Sequence, residues 1–152
     1  VDGDYVKEFT VPGSVYEADK IVYLPCMKTH RLARFSLSLK LAAGLVHPGE
    51  RRRMHMGNLE RKIAEFNLAL QPDLIIMDGR KAFVSGGPAK GEVVEPGVIM
   101  ASGDQVAIDV EALKTLGSFE AKNRLFRNPY DSPQIVMALG HGLGSKDYKV
   151  IS

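Results

Sequence analysis

Short apolar runs alternate along this chain with stretches whose apolar residues recur every three or four positions. That alternation predicts an α/β layered fold with a mostly parallel or mixed sheet and helices packed on it. Ile21-Val22-Tyr23-Leu24 and Leu74-Ile75-Ile76-Met77 read as short buried strands, stopped by Pro25 and by Asp78-Gly79. Val98-Ile99-Met100-Ala101 reads as a further strand, and residues 5–11 as a weakly alternating edge strand ending at Pro12-Gly13. Leu59, Ile63, Phe66 and Leu70 keep helical spacing behind Asn58, a capping residue, with Pro72 as the stop. Val106, Val110 and Leu113 mark a second helix, capped by Asp104 and followed by Gly117. Ser132-Pro133 opens a third, since proline suits the first helical position. It is expected to bury Ile135, Val136 and Leu139 and to end at Gly140-His141-Gly142. Residues 35–41 alternate as a strand does, yet Ala42-Ala43-Gly44 pulls toward a short helix, so 34–43 stays open between the two. Residues 82–84 and 92–94 flank the glycine-rich stretch 85–91 as the arms of a hairpin flank its tip.

With 152 residues, 45% of them hydrophobic, the chain is long enough for one domain with its own core. No apolar run approaches the ~20 residues that span a bilayer, and no secretory signal pattern is visible. The single cysteine, Cys26, permits no internal disulfide and fits a reducing, cytoplasmic setting. It also rules out an iron–sulfur cluster held by this chain alone. The first residue is Val1 rather than Met, as in a piece of something longer.

Net charge is only +2, but it is segregated. Residues 28–62 carry nine Lys/Arg against two acids, and the rest carries eleven against sixteen. The basic segment sets up a local positive potential that attracts anions, unless Arg51-Arg52-Arg53 is simply a solvated loop after the turn at His47-Pro48-Gly49. Small net charge, Phe35 as the one aromatic in that stretch, and the absence of any nucleic-acid motif argue against nucleic acid as a partner.

Within and around that segment stand the residues suited to chemistry. His30 and His55 bracket Lys40 and Arg53, and Lys28 and Thr29 precede His30. Histidine ligates metals or moves protons near neutral pH, and a desolvated lysine becomes nucleophilic. The glycines of 85–91, Gly87 and Gly91 among them, would cradle a phosphate through backbone N–H groups, or else simply supply the φ values a hairpin tip needs. Asp104 is most simply an N-cap. Asp109 flanks the apolar stripe of its helix, so it is expected to be partly buried and to have a cation or N–H donors as partners.

Pro25-Cys26-Met27-Lys28-Thr29-His30, Ser38-Leu39-Lys40 with Gly44, and Arg53-Met54-His55 resemble the family catalogued as domain of unknown function 362. So do Pro72-Asp73-Leu74-Ile75-Ile76-Met77-Asp78-Gly79, Gly87-Pro88 with Gly91, and Gly103-Asp104-Gln105-Val106-Ala107-Ile108-Asp109, so that the likeness runs from about Ala18 to Gly144. Leu41 and Gln105 depart from that pattern, standing where the family tends to have asparagine and proline. The resemblance implies one α/β domain over residues 1–152, a fragment or C-terminal part of a longer unit. It also implies a companion domain or an iron–sulfur protein as partner. A fainter similarity links His30, Lys40, Pro48-Gly49 and His55 to nickel-pincer lactate racemase-like enzymes. There it implies proton transfer by His30, a cofactor anchored on Lys40 and nickel on His55, although Leu37 and Leu39 replace that family's small glycines. Taken together, the expectation is a domain of an enzyme that binds an anionic small molecule or cofactor. His30 and Lys40 would be its catalytic residues, and Lys28, Thr29, Gly87 and Gly91 would hold the cofactor. His55, Asp78, Asp104 and Asp109 would hold a divalent metal. Racemisation of a hydroxy acid, or docking of an iron–sulfur protein without catalysis, are the other functions in view.

Overall fold

The computed structural model describes residues 1–152. Its spine is one long strand, β4 (Leu74–Phe83), along which the other strands are arranged. β1 (Val22–Tyr23) and β2 (Cys26–His30) lie in line along one edge of β4, both parallel to it. β3 (Arg34–Ser36) folds back antiparallel on β2. Along the other edge lie β5 (Val93–Val94) and β6 (Val98–Ser102), both antiparallel to β4. The sheet is therefore mixed.

Six helices accompany it: α1 (Gly13–Glu17), α2 (Ser38–Leu41), α3 (Pro48–Met54), α4 (Leu59–Phe66), α5 (Gln105–Gly117) and α6 (Pro133–Gly140). α5 lies directly on β2, β4 and β6, with α2 and α6 against it and α4 packed on both of these. Tyr23, Ile75 and Met77 point from the sheet into this layer, which Phe35, Leu39, Ile63, Val106, Val110 and Ile135 fill. None of the helices is long and apolar enough to cross a membrane.

Several strand ends fall elsewhere than the punctuation of the sequence suggests. Pro25 does not end pairing, because its carbonyl accepts the Asp78 N–H at 2.9 Å and the chain continues along β4 as β2. Asp78-Gly79 lies within β4, where a Cβ on Gly79 would press on the side-chain ends of Met27 and Val98 at 2.9 Å. Residues 5–11 form no strand. The N–H groups of Asp4, Tyr5 and Val6 donate instead to the buried Glu65 carboxylate, and Thr10 N–H donates to Glu50, so carboxylates replace a neighbouring strand. The open stretch 34–43 is both things in turn, β3 and then α2. The arginine run is helical, not a loop, since His47 accepts the Gly49 N–H and Pro48 starts α3. Asn58 stands at the head of α4 in a left-handed conformation and makes no side-chain cap. α6 buries Ile135 and Ala138 and turns Val136 to solvent, one position off the expected stripe.

Candidate functional site

β2, β3 and the α2–α3 region bring the basic residues together. Lys28 pairs with Ser36 across the β2–β3 hairpin, and Ser36 lines a pocket of about 240 Å³ with Lys40, Arg51, Met54 and His55. Lys40, on the last turn of the short α2, is half-buried. It forms no ion pair, and neither do Lys28 and Arg51. Burial, then the charges of Lys28 and Arg51, lower its pKa. Lys40 is thus a partly desolvated cation among cations with no carboxylate in contact, which concentrates positive potential at this place.

The two histidines present the same ring nitrogen, Nε2, in opposite protonation states. His30 ends β2, and its Nδ1 accepts the N–H groups of Leu32 (3.2 Å) and Ala33 (3.1 Å), closing the turn into β3. Two donors on Nδ1 leave the proton of the neutral ring on Nε2. Burial first, then the positive charges of Lys40, His55, Lys28 and Arg31, hold the imidazole down to about 4, so it is neutral at pH 7. His30 is thus a turn-closing residue that also offers one N–H, an arrangement suited to donating a hydrogen bond and not to taking up a proton. His55, exposed beyond the end of α3, places Nδ1 at 2.9 Å from the Arg51 carbonyl. A carbonyl can only accept, so Nδ1 carries the proton and the neutral ring keeps its lone pair on Nε2.

The other expected site residues are engaged elsewhere. The Thr29 hydroxyl donates to the Phe83 carbonyl at 3.1 Å, inside the sheet. Gly87 N–H donates to Lys90, and a Cβ at Gly87 would overlap the Thr29 carbonyl, so this glycine allows loop 85–91 to lie against β2. Gly91 plays the same part toward the Ser85 carbonyl. The four residues expected to hold a metal are not gathered round one point. Asp78 is paired with Arg80 at 2.8 Å, which holds its carboxyl at about 2. Asp104 caps α5 by accepting the Ala107 N–H at 2.8 Å and also takes the Ser145 N–H. Asp109 is fully buried under α2, with N–H donors and no cation as its partners. Nowhere do three His, Cys, Asp or Glu side chains come within reach of one ion, so the residues present do not fit a metal site built by this chain alone.

Arg51 is the site residue that the sequence pattern hid. It precedes His55 by one helical turn, a spacing that means proximity only once the arginine run is known to be helical.

The geometry defines a mixed α/β domain with a cationic pocket beside its β2–β3 hairpin. The chain belongs to the family described as Domain of unknown function (DUF362), whose sequence pattern matches residues 1–114. The match thus includes the segment before Ala18 and stops inside α5. A protein of Synechocystis sp. described as thylakoid-associated is 28% identical over 154 residues, covering 92% of this chain and 47% of the relative. The chain therefore spans about half the length of that relative. No solved structure matches the chain.

Proposed function

We propose that the domain binds the anionic part of a small molecule or cofactor in the pocket of Lys40, Arg51 and His55, with Lys28 close enough to add its charge, as part of an enzyme. The observation that carries this is Lys40: half-buried, beside two other cations, with no carboxylate to neutralise it. Keeping such a group in a folded domain lowers stability, and sites that bind charge are where that cost is met by a ligand. His30, close enough to Lys40, His55 and Lys28 to feel their charges, has an Nε2–H that would add a neutral donor beside the pocket. The Nε2 lone pair of His55 adds an acceptor, which favours an oxyanion that also bears a hydroxyl or an acidic proton. Proton transfer, if this pocket performs it, falls to His55 in preference to His30. Cytoplasmic placement belongs to the same proposal, and cell fractionation separates it from the membrane association in the relative's description.

Thermal unfolding with inorganic phosphate and with a four-carbon dicarboxylate, at low and at high ionic strength, tests the reading. A ligand at a hundred times its Kd stabilises by about 2.7 kcal/mol, several degrees for a domain of this size. The shift should shrink with salt and vanish in Lys28→Ala/Lys40→Ala. A double variant that responds like the parent places the anion elsewhere, and a parent indifferent to both anions removes the proposal.

A further inference from the structure

The sheet has two faces, and the helices of this chain cover one. Strand alternation turns Val22, Leu24, Leu74, Ile76, Ile99 and Ala101 away from α5, and all are exposed, Leu24 at 67% and Ile99 at 65%. Register makes them one patch. Val22 pairs with Leu74, Ile76 with Ala101 and Ile99 with Asp78, so the rows cross β1, β4 and β6. Cys26, also paired with Asp78, stands in the same rows and is exposed. Scattered apolar residues on a surface are ordinary, but a continuous patch across three strands is not.

We infer that this open face seats a companion segment of the same polypeptide, packing amphipathic helices across Val22, Leu24, Ile76 and Ile99. Two observations select this occupant. The Synechocystis relative takes in 92% of this chain with 47% of its own length, so a second stretch of comparable length accompanies the fold there. The charged groups inside the patch, Asp78 and Arg80, neutralise each other at 2.8 Å, leaving a surface suited to apolar helix faces and not to a highly charged partner.

Cys26 is the sole cysteine and reports directly on whether the face is covered. Its alkylation by iodoacetamide is to be timed in residues 1–152 alone and in the polypeptide that the source gene encodes around them, a readout in which anion binding plays no part. The expected result is alkylation slowed at least about tenfold in the longer polypeptide, as for a group reached only by local opening. Ile99→Glu should restore the rate there while leaving the melting temperature of residues 1–152 unchanged. Equal rates in the two polypeptides overturn the inference. So does a gene that encodes nothing beyond residues 1–152, and a dimer of that chain broken by Ile99→Glu would then assign the face to a second copy.

Discussion

The Asp109 carboxylate accepts the backbone N–H of Ser38 at 2.8 Å, across 71 positions of sequence, and its second oxygen takes the N–H of Leu39 at 3.1 Å. α2 begins at Ser38 behind Leu37, a residue that cannot cap. Asp109 supplies that cap from α5 and so fixes the short helix that carries Lys40. Of the two kinds of partner expected for it, a cation or N–H donors, Asp109 has N–H donors, and it is fully rather than partly buried.

Asp109→Asn should therefore destabilise the domain by about 1–3 kcal/mol, the usual effect of setting a buried amide donor against backbone donors. Burial pushes the Asp109 carboxyl up to about 7 from its ordinary 3.8, against the opposing pull of the Ser38 and Leu39 hydrogen bonds. A folded-state pKa above the unfolded one means that the native protein holds the extra proton. The resulting stability is present in full below about pH 4 and is lost as pH rises through 7. Urea unfolding should show a larger loss in Asp109→Asn at pH 5 than at pH 8. A loss that grows with pH would show that the buried group is ionised throughout.

For His30 the sign is opposite. Its folded pKa of about 4 lies below the ordinary 6.5, so the unfolded chain takes up the proton first and this residue's contribution falls as pH drops from about 6.5 to 4. Heteronuclear NMR of the imidazoles should find the His30 ring neutral at pH 5.5, protonated on Nε2. A titration midpoint near 6.5, or a proton on Nδ1, would contradict the turn geometry.

Lys40→Met should raise stability in the absence of ligand, by about 0.5–2 kcal/mol, because it removes a poorly hydrated cation from between Lys28 and Arg51 and keeps the packing of its stem. The same substitution should abolish the thermal response to phosphate. Calorimetric melting with and without phosphate reads both effects. A destabilised Lys40→Met would mean that Lys40 has a structural partner.

Gly87 and Gly57 both have left-handed backbone, φ +70° and +79°, but differ in their surroundings. An alanine Cβ meets nothing within 4 Å at Gly57, whereas at Gly87 it runs into the Thr29 carbonyl. Gly57→Ala should cost roughly 1 kcal/mol, the backbone term alone, and Gly87→Ala clearly more. Denaturant midpoints of the two variants measure the difference. Equal midpoints would show that loop 85–91 can lift off β2.

What the sequence determined by itself was local. Apolar periodicity marks β1, the start of β4, β6, α4 and α5. The paired arms round 85–91 mark the hairpin, Asp104 marks the cap of α5, and Ser132-Pro133 marks the start of α6, because each depends on neighbours a few residues apart. The family motifs likewise placed Lys28, His30, Lys40 and His55 on the chain, and the charge count set them in a segment with a local excess of positive charge. Tertiary structure decided everything that hangs on distant partners. Pro25 and Asp78-Gly79 look like stops, yet their backbone groups find each other across the sheet and pairing continues. Residues 5–11 lost their strand to Glu65 and Glu50, whose positions along the chain give no sign of it. Asp78, Asp104 and Asp109 are all carboxylates in plausible motifs, but an arginine, a helix end and a second helix claimed them one by one. Which of several equivalent side chains meets a given partner is a matter of long-range packing, and periodicity carries no information about that.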